Sequence, residues 1–293
     1  MIKKSIFFGI ILLILNFCAA IFIEEIKFLA VAMVLINFGG LLWITHSMTA
    51  PLAEMEKHIK AVEKKNREIE NKRSEFVANV SHELKTPLTS ISGFIETLQN
   101  GAVDDPEIRN RFIDIIAIET ERLKRLINDI LLLSDIEGNI HDVKEDINVF
   151  EVTEHVFALM EPIAKEKNIT MINDVNSKIN LTGSEDKFKQ MLVNLVENGI
   201  KYGVNDGMIK VIGKEDFKHI HISVIDNGIG IEKKDLDRVA ERFYRVDKSR
   251  AQKAGGTGLG LSIVKHTAAL FNGELKVKST PGKGSEFIIK ISK

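Results

Sequence analysis

Cysteine is nearly absent. The 293-residue chain has one, Cys18, which excludes a disulfide scaffold and a cysteine-rich zinc site. Aromatic residues make up only 6%, with two Tyr and one Trp, too few for a lectin-like or base-stacking surface. Net charge is almost nil, with 40 Lys and Arg against 41 Asp and Glu. Nucleic-acid-binding proteins usually carry a basic excess, so nucleic acid is not an expected partner. Two scarcities are local. Residues 1–47 hold only five charges, Lys3, Lys4, Glu24, Glu25 and Lys27. Glycine is thin at first and dense later: 13 of the 20 lie at or beyond Gly199. The chain therefore has an apolar head, a charged middle and a glycine-rich tail. Its length allows two or so domains at roughly 100–200 residues each.

The head, residues 1–47, reads as two membrane-spanning helices. Residues 5–23 are uncharged and as a helix would reach about 28 Å, close to the hydrocarbon thickness of a bilayer. Residues 28–45 form a second uncharged run, and only Glu24-Glu25-Ile26-Lys27 separates the two, so a tight turn is expected there. A cleaved signal peptide would also explain Lys3, Lys4 and the small residues Cys18-Ala19-Ala20, but a second apolar run follows at once. Lys3 and Lys4 before the first run, and Lys57, Lys60, Lys64, Lys65 and Arg67 after the second, orient both termini to the cytoplasm by the positive-inside rule. The expectation is a multi-pass protein of the cell membrane. A four-residue external turn cannot hold a ligand-binding domain. Input would then come through the spans, an accessory membrane protein or the cytoplasmic side.

The middle carries a heptad seam. Leu52, Met55, Ile59, Val62, Asn66, Ile69, Arg73, Phe76 and Val80 alternate three and four apart, as in a parallel two-stranded coiled coil. Residues 48–73 are the linker and a homodimer is expected. At Val80 the seam shifts to steps of four through Leu84 and Leu88, a stutter that locally unwinds a supercoil. Pro87 within it should bend the helix. Asn100-Gly101 ends the helix, and Asp105-Pro106-Glu107 starts the next with a cap and an N1 proline. That helix runs to near Gly138. The two form an antiparallel pair over residues 74–140, and two pairs would make a four-helix bundle. His82 falls two residues past the seam, facing outward, with Glu83 beside it. An exposed imidazole next to a carboxylate can be a nucleophile with its base, or merely a solvated histidine.

The tail, residues 146–293, reads as an α+β two-layer sandwich with helices on one face of a sheet. Strands are expected near residues 147–150, 169–174, 179–181, 208–213, 220–226, 273–279 and 285–292, and helices near 153–167, 185–202 and 259–271. Asn194 and Asn198 share a helix face at i, i+4. Their oxygens could serve Mg²⁺, with Lys201 and Tyr202 nearby for a nucleotide; packing of a helix contact would use them equally well. Asp226-Asn-Gly228-Ile-Gly230 follows an apolar strand. Its carboxylate could accept an adenine amino group where glycines admit the ring, and an ordinary β-turn has the same spacing. Gly255-Gly256-Thr257-Gly258-Leu259-Gly260 leads into a helix, whose free N–H groups suit a triphosphate, though the spacing is neither a P-loop nor a Rossmann fingerprint. Residues 241–250, with Arg245, Lys248 and Arg250, read as a mobile lid whose cations could reach phosphate, or as a solvated loop.

Phe76-Val-Ala-Asn-Val-Ser-His-Glu-Leu-Lys-Thr-Pro-Leu-Thr-Ser90 closely resembles the H-box of sensor histidine kinases, most like the phosphate-regulon subclass. The four tail clusters resemble, in order, that family's N, G1, F and G2 boxes. The resemblance spans about residues 74–290. It implies a membrane-bound kinase of two-component systems with the ATP-binding fold of gyrase and Hsp90. In that reading His82 takes the phosphoryl group of Mg-ATP, Glu83 assists as base, and Thr86 positions water when the protein acts as a phosphatase. The nucleotide would be held by Asn194, Asn198, Lys201, Tyr202, Asp226, Gly228, Gly230, Arg245, Arg250, Gly256, Thr257, Gly258, Leu259 and Gly260, with Asn198 at the metal. The receiver domain of a response regulator would take the phosphoryl group. Gly199 departs from the family's usual alanine, and Pro51-Leu52 resembles only the first half of a HAMP linker. The rival expectations are an ATPase of the same fold that drives a partner without labelling itself, and a non-catalytic membrane scaffold.

Overall fold

The computed structural model describes residues 2–138, 144–246 and 256–293, with side chains given outside 2–8 and 48–53. The chain divides into two units, Met1–Glu75 and Phe76–Lys293.

The described residues of the first unit are all helical, within α1 (Ile2–Gln99). The turn expected at residues 24–27 does not form, because nothing there opposes a helix. None of the four residues is Gly or Pro, and Lys27 Nζ lies 3.4 Å from Glu24 Oε1, an i, i+3 spacing. The stretch Gly9–Ser47 is long and apolar enough to cross a membrane. Further along, the seam residues Met55, Ile59, Val62 and Ile69 are more than half exposed, so these four are left uncovered by the described residues of the single chain.

The second unit opens with the rest of α1, which continues as helix through Pro87. Gly101, at φ 110°, begins a short 3₁₀ turn, Ala102–Asp104. Helix α2 (Pro106–Glu137) then starts as its sequence requires: the Asp105 side chain accepts from the N–H groups of Glu107 and Ile108, and Pro106 stands in the first turn. The two helices pair antiparallel. Phe94 meets Phe112 with ring centroids 4.9 Å apart, and Arg122 reaches back to Glu83.

The remainder folds as β1 (Glu145–Asn148), α3 (Val149–Glu166), β2 (Thr170–Val175), β3 (Asn180–Gly183), α4 (Glu185–Tyr202), β4 (Met208–Glu215), β5 (His219–Asp226), α5 (Gly260–Leu270), β6 (Gly273–Thr280) and β7 (Gly284–Ser292). Helix α3 begins four residues earlier than expected because Asn148 caps it, accepting from the Glu151 N–H at 3.1 Å. A five-stranded sheet has the order β2-β4-β5-β7-β6, with β2 and β4 parallel and the other pairs antiparallel; β1 and β3 form a separate ribbon. Side chains alternate across a strand. Ile220, Ile222 and Val224 of β5 and Phe287, Ile289 and Ile291 of β7 enter the core with Phe188, Leu192 and Leu195 of α4. At Gly199, a Cβ would come within 3.0 Å of Ile209 Cδ1, so glycine there makes room for the isoleucine.

Candidate active site

The alternation that buries Ile220, Ile222 and Val224 also turns Asp226, the last residue of β5, toward the helices, where it is 9% exposed. Its Oδ1 accepts from the N–H groups of Gly228 at 2.9 Å and Ser285 at 3.2 Å. Those two bonds fix the carboxylate at the wall of a cavity of about 1020 Å³. Burial is the main influence on this carboxyl and raises its pKa. Helix α4 brings Asn194, Asn198, Lys201 and Tyr202 to the same cavity. Burial pushes the Lys201 ammonium down to about 8. Gly230, Arg245, Gly256, Thr257, Gly258 and Gly260 complete the expected lining.

Helix α5 opens at this cavity with no side-chain cap on its N-terminus, leaving backbone donors for a ligand. Gly258 has φ +76°, and a Cβ there would lie 2.9 Å from Phe243 Cα. The Phe243 N–H donates to Gly258 O at 2.8 Å, which ties the start of the expected lid to the glycine loop. Asn194 and Arg245 line the cavity, and a buried donor of each, Nδ2 and Nε, has no hydrogen-bond partner among the described residues. Unsatisfied buried groups of this kind call for an explanation such as a functional role.

Two expected residues do not line the cavity. Gly228 sits behind Asp226, where a Cβ would strike Tyr202 O at 2.4 Å; the tight approach, not a ligand, demands the glycine. Leu259 is fully buried and packs with Ile263 of α5 against Leu126, Leu133 and Ile136 of α2. Part of the α2 stripe expected to face a helix bundle is thus covered by α5. Lys248, Arg250 and Gly255 lie outside the described residues.

His82 is exposed on α1, and one turn on the Thr86 hydroxyl donates to His82 O at 3.1 Å. Neither lines the cavity, but Glu83 is joined to it. Its Oε2 accepts from Arg245 Nη2 at 2.9 Å and Arg122 Nη2 at 3.3 Å, while Arg245 Nη2 also reaches Thr257 O at 2.8 Å.

Helix α2 supplies residues the sequence reading missed: Arg125, Asn128, Asp129 and Leu132 line the cavity. The Thr257 hydroxyl donates to Asp129 Oδ2 at 2.6 Å, and burial raises the Asp129 pKa. The available signal was an acidic residue between Leu126 and Leu133 on one helix face, interrupting an apolar stripe at i+3. Asp235, which accepts from the Tyr244 hydroxyl at 2.6 Å, also lines the cavity and had no such signal.

Two family models match, and each falls on the part of this geometry it describes. Residues 72–139, which contain His82, match the His Kinase A (phospho-acceptor) domain. Residues 183–293, which contain most of the cavity, match the histidine kinase-, DNA gyrase B- and HSP90-like ATPase. The chain belongs to the sensor histidine kinases of two-component systems. Among curated members of this family, the sensor protein kinase WalK of Staphylococcus aureus is 37% identical over 227 residues, 76% of this chain and 54% of that protein. The chain thus spans about half the length of that relative. Among solved structures, the histidine kinase ThkA in complex with the response regulator protein TrrA aligns with TM-score 0.63 and 27% identity, covering 79% of this chain and 65% of that one. Full-length ShkA in complex with AMPPNP aligns with TM-score 0.55 and 26% identity, covering 74% of this chain and 45% of that one. The ATPase match begins at residue 183, yet β2 pairs with β4 in the same sheet, so the folded domain reaches back beyond the matched segment.

Proposed function

We propose that the protein is a homodimeric histidine autokinase that phosphorylates His82 from Mg-ATP and passes the phosphoryl group to an aspartate of a response regulator. The observation that carries this reading is the bond from Arg245, a cavity residue, to Glu83, the neighbour of His82. It couples the phosphoacceptor helix to the nucleotide site within one chain. ShkA is described with a bound ATP analogue and ThkA with a response regulator, and both agree with the assignment. His82 would attack the γ-phosphorus, forming an N–P bond as the bridging P–O bond to ADP breaks. Glu83 would take the ring proton once Arg245 and Arg122 release it, with the arginine turning to phosphate oxygens. Asn194 and Asn198 offer carboxamide oxygens that fit Mg²⁺, which when bound would neutralise phosphate charge. Thr86, exposed one turn from His82, would order the water that hydrolyses the partner's phosphoaspartate in a phosphatase reaction. The working domains are residues 74–140 for dimerisation and phosphotransfer and 146–293 for catalysis, after the 48–73 linker. The seam, with Leu88 at 56% and Ile95 at 42% exposed, is where a second copy would pack.

The test is direct. The full chain in nanodiscs, given γ-labelled ATP and Mg²⁺, should gain acid-labile, base-stable label that a receiver domain removes. No label, or acid-stable label, would overturn the reading.

Nucleotide affinity should depend on pH through Lys201. With a pKa of about 8, the ammonium is present below that pH and lost above it. A triphosphate favours the charged form, so binding above pH 8 must take up a proton, and affinity should fall toward tenfold per pH unit. Calorimetry at pH 8.5 in buffers of different ionisation enthalpy should show proton uptake that disappears in Lys201→Met. Equal affinity at pH 7 and 9 would count against a Lys201–phosphate contact.

We also infer that the N-terminal segment anchors the protein in the cell membrane with both ends cytoplasmic. As one helix, the 39 residues Gly9–Ser47 would be about 58 Å long, roughly twice a hydrocarbon core. Residues 5–23 and 28–45 each match that core. Residues 24–27 are helical in the chain by itself, but a bilayer would oppose that helix, because Glu24, Glu25 and Lys27 are costly in hydrocarbon and would be held at the outer surface by a turn. An accessory membrane protein is then a natural source of input. In a Cys18→Ala background, Glu25→Cys in intact cells should react with an impermeant maleimide and Lys57→Cys should not. The opposite pattern, or protection of both, would refute this topology.

A further inference from the structure

Strand β5 has two faces. The face that carries Asp226 into the cavity is accounted for. The other bears His219 and His221, at i, i+2 and so side by side on the open surface of the sheet, with ring centroids 6.0 Å apart. The hairpin from β4 into β5 adds a third group, Asp216. Its Oδ1 accepts from the N–H groups of Lys218 and His219, both at 2.8 Å, which holds the carboxylate over the two imidazoles. Its Oδ2 lies 3.0 Å from His221 Nε2, and its Oδ1 lies 3.6 Å from His219 Nδ1. One donor atom from each residue falls within 4.8 Å of the others.

We propose that Asp216, His219 and His221 form a binding site for a borderline transition-metal dication of the zinc class, separate from the nucleotide's magnesium. Ligands at about 2.0–2.2 Å from a tetrahedral ion stand about 3.3–3.5 Å apart. The three ligand atoms here lie within 4.8 Å of one another, so an ion would replace the 3.0 Å His221–Asp216 hydrogen bond and draw the two imidazoles together by side-chain rotation. Two imidazoles select zinc, cobalt, nickel or copper over magnesium or calcium, which prefer all-oxygen sites. The carboxylate brings the charge that imidazoles lack. The three side chains keep 27%, 33% and 55% exposure, in the order His219, His221 and Asp216, so water can fill the remaining positions. Two lysines oppose a cation: Lys214 and Lys290 pair with His221 across the sheet. Glu274 on β6 lies opposite Lys290 in the sheet register, although its carboxylate is bonded to Lys276 at 2.8 Å. His219 and Asp226 are the two end residues of β5, about 23 Å apart by strand rise and on opposite faces. Metal at the hairpin therefore does not compete with Mg-ATP, and it gives the domain a cytoplasmic input independent of the N-terminal segment.

The test uses the untagged full chain in nanodiscs, stripped by chelator and titrated with Zn²⁺ against a chromophoric competitor. The expected result is one tight equivalent per chain. Loss of an outer-shell partner typically weakens a metal site 10–100-fold, so loss of a ligand in His221→Gln or Asp216→Asn should weaken this one at least as much. His155→Gln, elsewhere in the domain, should leave it intact. Mg-ATP affinity, measured on the same preparations, should be unchanged in His221→Gln and shows that the domain is folded. No tight equivalent in the wild-type chain, or one that survives both ligand substitutions, would overturn the site. Neither result depends on whether the protein is a kinase.

Discussion

His82→Gln should reduce acid-labile labelling to background, a loss of about 10³-fold or more by the usual cost of removing a nucleophile. The side chain is exposed and does not line the cavity, so the substitution touches neither the fold nor the nucleotide. A surface change of this kind usually shifts stability by no more than about 0.5 kcal/mol. Thermal unfolding and Mg-ATP affinity should therefore match the wild type while the label disappears. Glutamine keeps comparable bulk and polarity but offers no ring nitrogen to form the N–P bond. The same measurement separates the two rivals. An ATPase that works a partner mechanically would hydrolyse ATP equally well in both forms and would not label itself in either. A scaffold with a dead site would bind no nucleotide at all. Undiminished label in His82→Gln would place the acceptor elsewhere and sink the assignment of the H-box.

Much of this site was legible in sequence because regular periods carried it. Asp226 stands in sequence at the end of an apolar strand, and a helical period puts Asn194 and Asn198 on one face of α4; both meet at the cavity. The caps were legible for the same local reason, with Asp105 and Pro106 opening α2 as their chemistry dictates. What failed was whatever depended on distant partners or on weighing one local preference against another. The four residues 24–27 were read as a turn from charge alone, although their helix-compatible Glu24–Lys27 spacing lets α1 continue. Val149 and Phe150 read as the end of a strand, but Asn148, the last residue of β1, caps α3 and makes them its first residues. Leu259 was read with its glycine neighbours as a phosphate loop, but it is a core residue. The bonds of Asp129 to Thr257 and of Glu83 to Arg245 join residues 128 and 162 positions apart. No local pattern encodes such pairings; they follow from α5 packing on α2, which tertiary burial alone decides.

Asp226→Asn should weaken nucleotide binding roughly 5–150-fold while leaving the domain intact or firmer. In the wild type, Oδ1 is spent on the N–H groups of Gly228 and Ser285. An asparagine would keep that arrangement, because its single oxygen must face those two donors. Its NH₂ would then stand where the second carboxylate oxygen stood, opposing the adenine amino group donor to donor. A lost and mispaired buried hydrogen bond costs about 1–3 kcal/mol, so Mg-ATP should bind roughly 5–150-fold more weakly, and labelling of His82 should fall with it. Stability moves the other way. Burial raises the folded-state pKa of this carboxyl, so ionisation opposes folding, a penalty that grows as pH rises above the unfolded value of 3.8 and levels off above the raised folded value. The neutral amide escapes it. The unfolding midpoint of Asp226→Asn at pH 7 should therefore equal or exceed that of the wild type, and the advantage should shrink as pH falls through the carboxylate range. Weak binding together with a retained midpoint would identify Asp226 as the adenine acceptor. Wild-type affinity in the variant would remove it from that role, and a collapsed midpoint would mean that its two backbone bonds serve the fold first.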